Sequence, residues 1–217
     1  MLATRFPRLK GDIGNPESFP FPVVYKRVEA VTAGSVVVAG ELAPGVADAI
    51  LGAAKALERA GVDLIATSCG FLGGLQGRLQ QSLSVPVIAS ALVLLPFLRA
   101  LHGPGRPIGV LTFDSRRLSA HHFGPSQDAD VVIEGIQDGS TLHRVIAEDL
   151  PELDRSAAEA DALAAARRLV ARQPALRALV LECTNLSPYR TAIAAATGRP
   201  VYDLNQAILW HVGALMV

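Results

Sequence analysis

The chain has 217 residues, half of them hydrophobic, with twenty basic and twenty acidic side chains and a formal net charge of zero. That length can bury a substantial core, and the apolar content excludes a disordered chain. Balanced, interspersed charge argues against nucleic acid or an anionic membrane as partner. Only Lys10, Lys26 and Lys55 are lysines, and the arginines form no basic block. The longest apolar stretch, residues 85–98, is broken by Ser90 and Pro96. It falls short of the roughly 20 residues a spanning helix needs. The first sixteen residues carry no continuous apolar run of signal-peptide type. These features predict a soluble cytoplasmic protein, where two cysteines are read as thiols rather than a disulfide.

In chain order, the Pro-, Gly- and Asn-rich segment up to Pro22 reads as loop. Residues 23–28 read as a strand, and "SVVVA" at 35–39 is a β-branched run of strand type. Residues 43–60 are helical, with Ile50, Leu51, Ala54 and Leu57 on one face and Gly61 as the stop. "VDLIAT" and "SVPVIAS" read as buried strands around a helix with a glycine-rich start, "GFLGGLQGRLQQSL". "RPIGVLTF" reads as a strand, 115–122 as a helix capped by Asp114 or Ser115, and "ADVVIEGI" as a strand. Helices follow at 140–149 and 156–173, the second dense in strong helix formers. "LRALVLE" and "RPVYD" are strands around the helix "SPYRTAIAAATG", which Gly198 closes; the last helix starts from Asp203 as N-cap. Alternating strands and helices predict an α/β fold with mostly parallel sheets flanked by helices on both faces.

The chain also repeats itself. An offset of 114 residues places Cys69 on Cys183, Leu72 on Leu186, Pro86 on Pro200 and Val87 on Val201. Each copy reads strand, Cys, helix, Pro-Val strand, with seventeen residues from Cys to Pro. The expected architecture is two pseudo-symmetric α/β lobes, residues 1–90 with 205–217 and residues 91–204, with the active site between them.

Both cysteines stand at the carboxyl ends of strands, where open α/β sheets bind ligands. Each also precedes a helix start, whose N–H groups and dipole are expected to lower the thiol pKa and to hold a carboxylate. Thr67, Ser68 and Gly70 surround one cysteine; Thr184 and Asn185 follow the other. Two thiols on opposite sides of one carbon can invert it: one removes a proton and the other returns one. Taken singly, a cysteine is more often an inert buried side chain; the matched pair reverses that reading.

The motifs "ATSCGF" and "LECTNL", with "KGDIGN" near the start and "PVYD" near the end, resemble the aspartate/glutamate racemase superfamily over essentially the whole chain. That superfamily includes glutamate and hydantoin racemases, maleate isomerases and arylmalonate decarboxylases. The resemblance implies two lobes, no cofactor, and Cys69 and Cys183 as the acid–base thiols. It implies that Asp12 and Asn15 approach the substrate from the first lobe and that Thr112 lines the cleft from the second. Thr67, Ser68, Gly70, Thr184 and Asn185 would bind its carboxylate or other polar groups. Asn185 stands where glutamate racemases carry a histidine, which points away from glutamate itself. Both cysteines are present, unlike in decarboxylases of the arylmalonate type.

Other residues admit simpler readings. Asp12 can equally cap a turn in "GDIGN". Strand alternation points Glu182 away from the thiol of Cys183, where a structural ion pair is at least as good a reading. The five histidines have no metal-ligand spacing, no phosphate-binding glycine motif occurs, and no lysine stands in a Schiff-base context. The expected function is a cofactor-independent racemase or epimerase of a small carboxylate such as an amino acid. The alternatives are a maleate-type cis–trans isomerase with one nucleophilic cysteine, and a non-catalytic carboxylate-binding or redox module. The expected partner is a small-molecule carboxylate, with no metal, and the apolar composition favours a homodimer.

Overall fold

The computed structural model describes residues 1–124, 130–139 and 141–215. Among the described residues six short strands, all parallel to their partners, form two sheets flanked by helices. Helix α1 (Ala33–Val36) is one turn, and α2 (Pro44–Arg59) leads into β1 (Ile65–Ala66). A 3-10 segment (Gly70–Leu75) and α3 (Gln76–Ser82) connect β1 to β2 (Val87–Ile88). A second 3-10 turn (Ala91–Leu94) then enters α4 (Leu95–His102).

The larger sheet has the order β4-β3-β5-β6. Its strands are β3 (Ile108–Thr112), β4 (Val131–Gly135), β5 (Ala178–Leu181) and β6 (Val201–Tyr202). Between them run α5 (Ala120–Phe123), α6 (Leu142–Ala147), α7 (Arg155–Arg172), a 3-10 segment (Thr184–Tyr189) and α8 (Arg190–Thr197). Helix α9 (Leu204–Leu215) ends the described chain.

Central strands β3 and β5 are buried along their whole length, as parallel strands covered on both faces must be. Helix α7 turns Ala158, Ala162, Ala165 and Ala166 inward, all without solvent exposure. Small side chains let that helix sit close on the sheet. Asp161 on its flank accepts the N–H groups of Thr141 and Leu142 at 2.7 and 2.9 Å and so caps α6.

The 114-residue repeat holds in three dimensions. Ile65 pairs with Val87 and Ala66 with Ile88; their counterparts Leu179 and Val180 pair with Val201 and Tyr202. Gly70–Leu75 falls on Thr184–Tyr189, residue for residue. The N–H of Ile65 donates to the Pro86 carbonyl at 3.0 Å, and that of Leu179 to Pro200 at 2.9 Å.

Four expectations change. Residues 23–28 form no strand: Val24 is 61% exposed, and only Val28 makes an isolated parallel bridge, to Leu2. The β-branched run at 35–39 begins inside a helical turn, because Thr32 and Ser35 form a capping box. Helix 115–122 shortens to α5, capped by Ser119, since the Asp114 carboxylate turns back on the N–H and guanidinium of Arg116. Residues 91–98, read only as part of the apolar stretch 85–98, belong to a helical segment that runs to His102: Ser90 caps the first turn and Pro96 sits in the first turn of α4. The start of the strand expected from Ala129, the start of the helix expected from Ser140 and the last two residues of the final helix lie outside the described residues.

Candidate active site

Cys69 and Cys183 each stand one residue before a 3-10 turn, just past β1 and β5. Both are free thiols, Cys183 buried and Cys69 half-buried, and both line one pocket. The two loops share their backbone wiring around the sulfur. The N–H two residues on, Phe71 in one loop and Asn185 in the other, is directed at the sulfur. The N–H three residues on closes the turn, Leu72 to the Cys69 carbonyl at 3.1 Å and Leu186 to the Cys183 carbonyl at 3.0 Å.

The expected lowering of the thiol pKa is overturned. Burial pushes Cys69 up to about 12 and Cys183 well above its ordinary value, and the neighbouring Glu182 raises both further. The directed N–H groups act the other way, but each belongs to a six-residue 3-10 turn. Desolvation outweighs them.

Glu182 is fully buried and lines the same pocket. It makes no ion pair among the described residues. Its Oε2 accepts the Thr112 hydroxyl at 2.6 Å, and its Oε1 has no hydrogen-bond partner. Burial raises this carboxyl to about 7, against the stabilising Thr112 hydroxyl and Phe113 N–H. Gly70 lies directly against it. A Cβ at that position would come within 2.3 Å of the Glu182 Oε1, so the loop after Cys69 needs glycine to meet the loop before Cys183. Thr112, expected to line the cleft, instead sits behind Glu182 with no exposure.

Asp12 is buried and bound from three sides. Arg8 lies 3.2 Å from Oδ1, the Gly14 N–H 2.6 Å from Oδ1, and the Asn185 amide nitrogen 2.7 Å from Oδ2. Burial raises its pKa while Arg8 and these hydrogen bonds oppose the rise. Asp12 therefore both ties its own turn and reaches the second cysteine loop through Asn185. Asn15 does not reach the cysteine pocket: its amide caps the turn at Glu17 and donates to the Arg8 carbonyl. Thr67 donates to the Ala89 carbonyl at 2.6 Å, which joins β1 to the segment after β2. Ser68 lines the pocket and accepts the Leu2 N–H. Thr184 donates to the Ser68 carbonyl at 3.0 Å, a direct bond between the two cysteine loops.

Sequence reasoning missed the rest of the pocket. Arg8, half-buried over the Phe6 ring at 4.5 Å, is its cation. Phe6, Phe71 and Phe113 are its aromatic walls. The sequence carries no signal for them: Arg8 and Phe6 lie in a segment without helical periodicity, and Phe71 and Phe113 come from distant segments. Among the described residues no group of three or more His, Cys, Asp or Glu side chains could hold a metal ion. No helix among them is long and apolar enough to cross a membrane.

Two wired cysteines at matched strand ends of a repeated parallel fold agree with a family-level match over residues 30–212. The chain belongs to the Asp/Glu/hydantoin racemase family. Within this racemase family its fold resembles glutamate racemase from Thermus thermophilus in complex with β-chloro-D-alanine. The TM-score is 0.55 at 23% identity, over 85% of this chain and 69% of that one. In sequence it is similar to dimethylsulfoniopropionate lyase from Durusdinium sp. clade D, 31% identical over 203 residues, 90% of this chain and 66% of that protein. Dimethylsulfoniopropionate lyase 7 of Emiliania huxleyi (strain CCMP1516) is 28% identical over 221 residues, 97% of this chain and 64% of that protein. The chain thus spans about two thirds of the length of these curated relatives.

Proposed function

We propose that this chain is a cofactor-independent enzyme that removes a proton from the carbon beside a carboxylate, with a cysteine thiolate as base. The reaction we assign is elimination from a sulfonium carboxylate of the dimethylsulfoniopropionate type. The observation that carries the proposal is the pair of cysteines lining one pocket, one from residues 1–90 with 205–217 and one from residues 91–204. Two lines favour elimination over racemisation: the sequence relatives, and the pocket wall, where Phe6, Phe71 and Phe113 offer apolar and π surface to a cation without N–H donors.

In this reading a thiolate takes the proton from C2. The C–H electron pair becomes the C2–C3 double bond, and the C3–S bond breaks with its pair on sulfur. The products are neutral dimethyl sulfide and acrylate, and the proton stays on the cysteine. A sulfonium group also brings the raised thiol pKa back toward its ordinary value. A unit cation about 4 Å from the sulfur is worth about 4 kcal/mol at an effective dielectric of ~20, or about 3 pK units. Substrate entry thereby promotes formation of its own base.

Racemisation is the second reading, and one feature favours it: elimination needs one base, whereas the repeat supplies two. The deciding experiment incubates the chain with dimethylsulfoniopropionate, with headspace dimethyl sulfide read by gas chromatography. In parallel, amino-acid and other small carboxylates are incubated in deuterated water and their α-protons followed by NMR. Sulfide release supports elimination. Exchange and loss of optical activity without sulfide supports racemisation. Neither in any substrate would overturn both.

A further inference from the structure

The carboxyl of Glu182 is not explained by thiol acid–base chemistry. A buried carboxylate beside two cysteines opposes the thiolate either of them must become. It also holds no structural cation. Thr112 bonds to one oxygen only, and the other, Oε1, is buried without a hydrogen-bond partner. Gly70 has no side chain to come between this oxygen and the loop of Cys69. A buried acid that is given hydrogen-bond donors but no counter-ion costs stability, and such a group finds its compensation when a cation arrives.

We propose that Glu182 is the counter-charge of the cysteine pocket and makes it selective for a small carboxylate that also carries a fixed positive charge. This rests on the proposed function, whose sulfonium substrate is such a molecule, and it deepens that reading by naming the residue that demands the cation. The charges around the pocket are consistent with it. Arg8, the cation of the pocket, is already engaged by Asp12. Asp12 faces the second loop through Asn185 rather than the pocket directly. Both thiols stay neutral near pH 7, and His122, packed edge-on to Phe71, is held neutral by burial. The Asp12 charge also reaches Cys183, but Asp12 is paired with Arg8, so Glu182 is the acid of the pocket without a counter-ion among the described residues. It lines the same pocket as Phe71 and Phe113, whose rings can surround methyl groups on a cation.

The test uses two ligands of one shape and different charge. They are 3-(trimethylammonio)propanoate, whose amine is a poor leaving group, and its neutral-tailed isostere 4,4-dimethylpentanoate. Calorimetric titration of the wild-type chain at pH 8 should show the cationic ligand binding at least tenfold more tightly. That ratio should fall about tenfold at pH 6, because a carboxyl titrating near 7 is then mostly neutral. In Glu182→Gln the preference should vanish at both pH values while the isostere binds as before, which also shows that the variant is folded. If that variant does not fold, the pH dependence of the wild-type ratio decides alone. A wild-type ratio near one, a ratio that does not fall with pH, or a preference kept in Glu182→Gln would overturn the inference. Absence of dimethyl sulfide from dimethylsulfoniopropionate, with the charge preference intact, would overturn the proposed reaction and leave the counter-charge standing.

Discussion

The two cysteine loops, 67–72 and 181–186, differ in what surrounds a shared backbone frame. Both follow a parallel strand, both direct the N–H two residues on at the sulfur, and both close the turn from a leucine three residues on. Around that frame Ser68 corresponds to Glu182, Gly70 to Thr184, and Phe71 to Asn185 across the repeat. The first loop carries no charge. The second carries the acid, the hydroxyl bonded to Ser68 and the amide bonded to Asp12. The repeated part sets where two thiols stand. The unrepeated part sets the charge of the pocket and lets the loops interlock, because glycine on one side leaves room for glutamate on the other.

Breaking the frame itself should have the largest effect. Cys69→Ala and Cys183→Ala separate the two reactions. If the chain racemises, each loses activity by at least about a thousandfold; if it eliminates, only the base does, and the other variant keeps measurable turnover. Sulfide release and deuterium exchange on both variants check this.

Next comes the contact between the loops. In Gly70→Ala the new methyl would lie 2.1 Å from the Glu182 backbone carbonyl oxygen and 2.3 Å from Oε1. Overpacking of this kind costs about 1–3 kcal/mol, and a backbone atom cannot swing aside. Thermal unfolding should show a clear loss of stability, and activity should fall with it.

Glu182 also predicts a pH dependence of stability in the empty protein. Its folded pKa is raised from 4.5 to about 7, so between those values the folded state binds more protons than the unfolded one. Its contribution to stability therefore falls as pH rises through that window, by roughly 3 kcal/mol at most. Denaturant titrations from pH 4.5 to 7.5 should show a shallower decline in Glu182→Gln than in the wild type. An equal slope in both would mean that Glu182 titrates normally. The smallest change is Thr184→Val, which removes the bond to the Ser68 carbonyl. It should cost about 1 kcal/mol and leave the thiol wiring in place.

Much of this site was legible before any fold was known. The cysteines, their spacing to the Pro-Val strands and the polar residues beside them lie in contiguous segments, and short-range order preserves those relations. Asp12, Ser68 and Thr184 proved to be at or beside the pocket. Asn15 and Thr112 do not line the pocket because each satisfies another group, Asn15 its own turn and Thr112 the Glu182 carboxylate in front of it. Strand alternation misread Glu182, since residue 182 lies past the end of β5, where period-two alternation no longer holds. Arg8 and the three phenylalanines went unseen because nothing local distinguishes them from other apolar or charged positions.

The sequence alone determined the parallel α/β class, the repeat and the two thiols, because periodicity, helix stops and a 114-residue offset are properties of neighbouring residues. Only the tertiary structure decided the electrostatics. A pKa depends on which side chains from other segments displace water around a group, and the burial that brings Cys69, Cys183 and Glu182 together reverses the sign that helix starts alone would suggest.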